Sequence, residues 1–178
     1  MRTTLVWDFD ETLVDASITH QLRSQSPKDW EKIYSLIPQC KLYDGIIDVL
    51  AYLTEHDIKS GVATMAQRMF AQKTLDHLGV SVDSIVGYER FLKSKPDPAS
   101  ILKVLNKVNA DASTTIGVGD KATDIHAYRS ANLAITVGCT WGLSSDEEIQ
   151  SLKDSRPNYI INHPHDLIQI IQQFNNSF

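Results

Sequence analysis

The sequence predicts an α/β fold, in which a parallel sheet is sandwiched by helices and a small helical segment follows the first strand. Three observations predict it. Short apolar runs alternate with amphipathic stretches along most of the 178 residues. The runs lack polar alternation, which is typical of strands buried on both faces of a parallel sheet. One segment, residues 15–43, interrupts the alternation because it contains no strand pattern.

Six runs carry the strand pattern, and polar or turn-forming residues bound each of them. They lie at residues 3–7, 58–64, 84–88, 114–118, 133–137 and 159–161. Parallel strands need long crossover connections, which are right-handed and usually helical. We therefore expect the helices to lie between the strands in sequence and to cover the sheet.

Four helical patterns occupy the intervals between these strands. They lie at residues 46–55, 69–78, 98–108 and 124–131. In the first, one side is expected to carry Ile46, Ile47, Leu50 and Leu53, as in a helix that packs on a sheet. Gly79 follows the second pattern and suits a left-handed helix end.

The segment 15–43 predicts a small helical insertion after the first strand. A helical pattern covers residues 26–37, and Ser26 and Pro27 suit its N-terminal cap and first turn. We expect a core domain at residues 1–14 and 44–178 and an insertion at residues 15–43.

Composition restricts the class of protein. A content of 42% hydrophobic and 22% charged residues is typical of a folded soluble domain, and no window approaches a membrane span. The net charge of −5 argues against nucleic-acid binding by bulk charge. Cys40 and Cys139 lie in unrelated contexts and no secretory leader is evident, so we expect a cytoplasmic protein. The oligomeric state stays open.

Chemically active side chains follow several predicted strands, where ligands bind in open parallel sheets. They are Asp8 and Asp10 after the first strand, Thr64 after the second, Lys95 in the loop before helix 98–108, and Asp120 and Asp124 after the fourth strand. Converging carboxylates repel one another unless a proton or a cation joins them, and an all-oxygen set favours Mg²⁺. A carboxylate can also attack phosphorus, while an ammonium and a hydroxyl hold the transferred group.

Four motifs, in this order, resemble those of the haloacid dehalogenase superfamily. They are DFDETL at residues 8–13, GVAT ending at Thr64, KPDP beginning at Lys95 and GVGDKATD ending at Asp124. Within the superfamily, the chain is most similar to phosphoglycolate phosphatase-like hydrolases, whose cap follows the first strand. The resemblance implies that the small helical insertion at residues 15–43 is this cap. A cap excludes water and selects the substrate, and a short one should select less strictly. The resemblance covers residues 3–141 and implies a Rossmann-like core.

The resemblance implies a Mg²⁺-dependent phosphatase that hydrolyses a phosphomonoester of a small molecule. Asp8 would attack phosphorus and become an aspartyl-phosphate. Asp10 would protonate the leaving alcohol and then deprotonate the hydrolytic water. Thr64 and Lys95 would bind the phosphoryl oxygens. The Mg²⁺ ligands would be Asp8, Asp10 through its backbone carbonyl, Asp120 and Asp124, the last directly or through waters.

Two departures from the family pattern weaken any assignment of substrate by analogy. Glu11 stands where the phosphoglycolate group usually has Gly, and Met65 stands where Asn or Ser is common. Three alternatives therefore stay open: a phosphomutase or other phosphotransferase, a phosphatase of larger protein substrates, and a phospho-receiver domain. The receiver domain is disfavoured because it expects its aspartate after the third strand, where Gly87 and Tyr88 lie.

Several residues also have purely structural interpretations. Asp10, Asp97 and Asp124 suit turns or helix caps. Lys93 competes with Lys95, which we prefer because its place directly before Pro96 matches the string of the family it resembles. The six histidines include one close pair, at residues 163 and 165. Since no cysteine accompanies this pair, the pattern indicates a surface loop rather than a metal site.

Overall fold

The computed structural model describes residues 3–176. The strands are β1 (Thr4–Trp7), β2 (Val14–Asp15), β3 (Lys41–Leu42), β4 (Lys59–Gln67), β5 (Ser84–Tyr88), β6 (Thr115–Gly119), β7 (Ile135–Cys139) and β8 (Tyr159–Ile161). Six of them form one parallel sheet in the order β5-β4-β1-β6-β7-β8. The order reverses direction beside β1, and that is where an open α/β sheet forms its binding crevice. The predicted fold class is confirmed.

Eight α-helices accompany the sheet within the described residues. They are α1 (His20–Ser24), α2 (Trp30–Ser35), α3 (Ile46–Glu55), α4 (Arg68–His77), α5 (Ala99–Val108), α6 (Ala122–Ser130), α7 (Asp146–Asp154) and α8 (Asp166–Asn175). Sequence reasoning did not identify the last two. A signal for α7 was present, because Ser145 and Glu148 form a reciprocal capping box at its start.

Apolar side chains fill both faces of the sheet, as alternation along β1 shows. Leu5 and Trp7 are fully buried on the face covered by α3, α4 and α8. Val6 is fully buried on the opposite face, covered by α5, α6 and α7. Since successive strand residues point to opposite faces, both covers are needed to bury a wholly apolar strand.

The segment predicted as a cap contains α1 and α2, and a two-stranded antiparallel ribbon of β2 and β3 lies at its ends. The predicted helix 26–37 is too long. The observed helix begins at Trp30, because the side chain of Asp29 caps it by accepting a hydrogen bond from the Lys32 amide at 3.0 Å. The division of the chain into core and cap stays a prediction.

Boundaries of some core elements also differ from those predicted. The predicted strands 114–118 and 133–137 begin one and two residues too early, and helix α6 begins at Ala122 rather than at 124. The second core strand continues to Gln67 rather than ending at residue 64. Between residues 3 and 176, no helix has both the length and the apolar character needed to span a bilayer.

Candidate active site

Sheet pairing places Asp8 and Asp120 side by side at the carboxyl ends of β1 and β6. The last paired residues are Trp7 and Val118, and the Asp8 amide donates to the Val118 carbonyl at 2.8 Å. Asp124, in the first turn of α6, joins them. Each of the three buried carboxylates offers one oxygen, and these oxygens lie within 4.8 Å of one another. We call Asp8, Asp120 and Asp124 the carboxylate cluster.

Lys95 links two members of this cluster. Its side chain is 2% exposed, and its Nζ lies 2.5 Å from Asp8 Oδ1 and 2.5 Å from Asp124 Oδ1. The competing Lys93 is exposed and lies 3.6 Å from Asp97 instead. Burial lowers the pKa of Lys95, but Asp124 and Asp8 outweigh it, so the pKa lies above its ordinary value. The ammonium form is therefore the stable one at neutral pH.

The carboxylate cluster fits a metal cation. Three carboxylates face one buried ammonium, which leaves excess negative charge in a site of low polarity. Asp120 Oδ2 is buried and accepts no hydrogen bond from residues 3–176, and the Lys121 Nζ lies 3.5 Å away. Such an unpartnered oxygen is costly unless a cation or a proton reaches it. The donors are all carboxylate oxygens, which suit hard divalent ions.

The pKa values of two members of the carboxylate cluster reflect the same excess of negative charge. Burial raises the pKa of Asp8 to about 8, with Asp124 and Asp120 adding to the shift and Lys95 opposing it. Burial, followed by the charge of Asp124, raises the pKa of Asp120 to about 6. Without a cation, both groups in the folded site thus hold a proton more tightly than free aspartate side chains do.

Asp124 caps a helix and also belongs to the cluster. One oxygen, Oδ2, accepts a hydrogen bond from the Lys121 amide at 3.0 Å, while the other faces Lys95. A Cβ at Gly119 would lie only 2.6 Å from the Asp124 Cβ, so a residue without a side chain is needed there. Asp124 therefore both caps the start of α6 and belongs to the carboxylate cluster.

Asp10 points away from the cluster, toward α1. The Arg23 guanidinium donates to both of its oxygens, at 2.6 Å each, and the His20 Nε2 lies 3.6 Å away. A spacing of two residues would put Asp8 and Asp10 on the same side of a continuing strand, but β1 ends at Trp7. Burial opposes ionisation of Asp10, yet the hydrogen bonds and charges of Arg23 and His20 outweigh it and hold its pKa well below the ordinary range.

Thr64 is buried inside β4 rather than at its end. Pairing with β1 extends only to Val62, and the register with β5 shifts between Ala63 and Gln67. Thr64 therefore lies where the sheet opens. Its Oγ1 accepts a hydrogen bond from the Ala66 amide at 3.0 Å, so the hydroxyl proton stays available to a ligand.

Sequence reasoning missed the supporting contacts of the loop that follows Asp10. Thr12 Oγ1 donates to Asp120 Oδ1 at 3.1 Å, and the Trp141 indole donates to the Thr12 carbonyl at 2.9 Å. Glu11 adopts a φ of 61°, a region that favours glycine, and the Tyr43 hydroxyl donates to its carboxylate. A left-handed position explains why Gly is usual there. The sign of this in the sequence was that Glu11 stands where the family usually has Gly.

The histidine pair at residues 163 and 165 lies in the loop after β8 and beside the start of α3. The His165 Nε2 lies 2.7 Å from Asp48, and the His163 Nε2 lies 3.8 Å from Asp44. Both imidazoles are roughly half exposed. The loop is a surface loop, as the sequence indicates.

Comparisons with known proteins relate this chain to a family of hydrolases. Residues 17–137 match the family model of haloacid dehalogenase-like hydrolases. A Caldanaerobacter subterraneus protein, provisionally named pyrophosphatase PpaX, is 33% identical over 134 residues, which cover 74% of this chain and 59% of that protein. The chain thus spans about three fifths of the length of this curated relative.

Solved structures show the same fold. A haloacid dehalogenase-like hydrolase of Streptococcus pneumoniae superposes with a TM-score of 0.75 at 20% identity, covering 95% of this chain and 98% of its own. A β-phosphoglucomutase of Clostridium difficile superposes with a TM-score of 0.75 at 20% identity, covering 99% of this chain and 98% of its own. At these identities the likeness concerns the fold alone.

Proposed function

The chain belongs to the haloacid dehalogenase-like hydrolases, and on that premise we propose that it is a Mg²⁺-dependent phosphatase that works through an aspartyl-phosphate. One observation carries the proposal. The buried Asp8 carboxylate lies 2.5 Å from the Lys95 ammonium and within 4.8 Å of ligand atoms on Asp120 and Asp124. In the proposal, these groups supply the nucleophile, a cation for the phosphoryl oxygens and a metal site at one strand end.

In the proposed reaction, an Asp8 oxygen attacks phosphorus and the bond from phosphorus to the leaving oxygen breaks. Asp10 supplies the proton that the leaving oxygen takes up. Asp10 then accepts a proton from water as that water attacks the aspartyl-phosphate, which releases inorganic phosphate and restores Asp8. Lys95 and Thr64 hold the phosphoryl oxygens throughout.

Mg²⁺, when held by Asp8, Asp120, Asp124 and the Asp10 backbone carbonyl, would neutralise negative charge on the carboxylate and phosphoryl oxygens. The donor set fits this ion, as its unpartnered Asp120 oxygen and its excess charge indicate. The contact with Arg23 stabilises ionised Asp10, which is the form that acts as the base. It opposes the protonated form that acts as the acid. The proposal therefore requires Arg23 to leave Asp10 when a substrate binds.

The test is phosphate release from p-nitrophenyl phosphate, from a panel of phosphorylated metabolites and from a phosphopeptide, each with Mg²⁺ or EDTA. We expect Mg²⁺-dependent hydrolysis of small phosphomonoesters. Product identity separates hydrolysis from transfer to a second hydroxyl, which a phosphomutase would perform. If no phosphate is released from any substrate under either condition, the proposal fails.

Inorganic pyrophosphate is a second candidate substrate, favoured by the name of the Caldanaerobacter subterraneus relative. Its leaving group is phosphate, which needs less protonation by Asp10 than an alkoxide does. A ratio of pyrophosphate to p-nitrophenyl phosphate turnover well above one would favour it.

We further propose a reducing compartment, the cytoplasm, since Cys40 and Cys139 are both buried and free.

A further inference from the structure

Two openings of contrasting character lie beside the proposed catalytic residues. The acidic opening, of about 490 Å³, is lined by carboxylates of Glu11, Asp15, Asp120 and Glu148, together with His20 and Lys121. The second opening, of about 560 Å³, has no carboxylate among its lining side chains. We call it the leaving-group pocket, and define it by Arg23, Lys28, Trp30, Met65, Gln67 and Tyr88.

The leaving-group pocket lies next to two of the proposed catalytic residues. Arg23 lines the pocket and donates two hydrogen bonds to Asp10. Ala66 also lines it, and its amide donates a hydrogen bond to the Thr64 hydroxyl at 3.0 Å. The proposed acid and one proposed phosphoryl-binding group thus each contact a wall residue of this pocket.

The walls of the pocket suit a planar apolar group. Trp30 packs against Tyr34 with ring centroids 5.6 Å apart, which holds the indole in a defined orientation. Met65 is 49% exposed and Tyr88 is 56% exposed. Large apolar side chains exposed together around a cavity mark a binding surface, and aromatic rings and thioethers pack well on flat rings.

The charge of the pocket is positive. The Arg23 guanidinium is matched by Asp10, but the Lys28 ammonium, which contacts the Arg23 carbonyl, adds a further cation. Since the pocket walls carry no carboxylate, a ligand with a negative substituent is favoured there, whereas the acidic opening would repel it.

We propose that the leaving-group pocket binds the alcohol part of the substrate, and that this alcohol is a planar aromatic group with a negatively charged substituent. The inference rests on the proposed phosphatase activity, and it adds the substrate class. It also assigns Trp30 and Lys28 as specificity-determining residues.

The test compares three esters: phenyl phosphate, 4-carboxyphenyl phosphate and glycerol 2-phosphate. Trp30→Ala should lower kcat/KM for both aromatic esters by about 10-fold, through KM, because a ring contact is lost. It should leave glycerol 2-phosphate unchanged. Lys28→Gln should lower the preference for 4-carboxyphenyl over phenyl phosphate by about 2–5-fold, as expected for one exposed charge pair.

Phe91→Ala is the matched control, because Phe91 is 94% exposed and lies outside the leaving-group pocket. It should change none of the three values. The inference is overturned if Trp30→Ala affects all three esters equally, or if glycerol 2-phosphate or pyrophosphate is the best substrate of the unmodified protein.

A binding measurement separates failure of the inference from failure of the proposed function. Calorimetry with 4-hydroxybenzoate, the alcohol product, needs no turnover. We expect binding that Trp30→Ala weakens by about 10-fold and Phe91→Ala does not. If this holds while no ester is hydrolysed, the pocket stands and the phosphatase proposal fails. If esters are hydrolysed but binding is absent or insensitive to Trp30, the inference fails alone.

Discussion

The two walls of the candidate site are built differently. On the core wall, Asp8, Lys95, Asp120 and Asp124 are at most 8% exposed. Asp8 and Asp120 follow paired strands, Asp124 lies in the first turn of α6, and Lys95 lies in a loop. On the cap wall, Arg23, Lys28 and Trp30 belong to two short helices and their connection, and Lys28 is exposed. The groups that need close geometry are thus buried, whereas the proposed specificity residues lie on short and more exposed segments.

Replacing the nucleophile tests the core wall most severely. Asp8→Asn should reduce phosphatase turnover by at least about 10⁴-fold, since the amide cannot attack phosphorus. The fold should remain, because Asn resembles the protonated Asp8 that burial favours. Steady-state kinetics with circular dichroism checks both points.

Asp76→Asn is the control for this change, because Asp76 is an exposed carboxylate of α4. It should retain turnover. Full Mg²⁺-dependent activity in Asp8→Asn would remove Asp8 from its proposed role.

Removing the proposed acid and base should cost less. Asp10→Asn is expected to lower kcat for alkyl phosphates by about 10²–10⁴-fold, which is the usual contribution of general acid–base catalysis. The loss in kcat/KM, which reports the step that releases the alcohol, should be smaller for p-nitrophenyl phosphate, whose leaving group needs little protonation. Equal losses in kcat/KM on both substrates would argue that Asp10 only anchors Arg23.

The Mg²⁺ concentration that the activity requires provides a separate test of the carboxylate cluster. Asp120→Asn should raise the Mg²⁺ concentration for half-maximal activity by about 10–100-fold, since a buried anionic ligand is lost. Titration of activity with Mg²⁺ measures this, with the exposed Asp146→Asn on α7 as the control. An unchanged titration in Asp120→Asn would exclude it as a ligand.

The pH dependence of folding stability distinguishes the core wall from the cap wall without any substrate. The folded pKa of Asp8 is about 8 against an ordinary value of 3.8, so between these values the folded protein retains a proton that the unfolded chain has released. The metal-free protein should therefore lose stability as pH rises from about 4 to 8. Thermal unfolding in EDTA checks this, and Mg²⁺ should stabilise more at the upper end of the range.

Asp8→Asn should flatten that pH dependence. A slope equal to that of the unmodified protein would contradict the assignment of the shift to Asp8. Changes on the cap wall, such as Lys28→Gln, should leave the slope as it is.

The smallest expected effect lies in the cap segment. Asp29→Ala removes the side-chain cap of α2 and should destabilise that helix by about 0.5–1 kcal/mol. Because α2 carries Trp30, KM for aromatic esters should rise while kcat holds. Urea unfolding and kinetics measure the two effects. A lowered kcat with unchanged KM would show that the cap helix acts on the chemistry instead.

The sequence allowed prediction of the core wall because its signals are local. Strands buried on both faces appear as short apolar runs, and parallel pairing brings their carboxyl ends together whatever the loops do. Lys95 could be chosen over Lys93 because its place before Pro96 matches the string of the family that the chain resembles. The choice agrees with the 2.5 Å contact to Asp8.

The cap wall could not be predicted in this way. The Arg23–Asp10 pair depends on where β1 ends, and one residue more of strand would turn Asp10 to another side. The Tyr43–Glu11 contact joins residues 32 positions apart, through a ribbon whose strands are too short to leave a pattern. Contacts of this kind are set by tertiary packing, which no local spacing encodes.

The most direct test of the account is to look for a phosphoryl group on Asp8 itself. Asp10→Asn protein is mixed with p-nitrophenyl phosphate and Mg²⁺, quenched in acid and examined by peptide mass spectrometry. That variant should accumulate the intermediate, because it lacks the base for the second step. We predict one phosphoryl group on the peptide that contains Asp8, absent when Asp8 is also replaced by Asn. Turnover with the phosphoryl group elsewhere, or an adduct that survives the Asp8 replacement, would contradict the account.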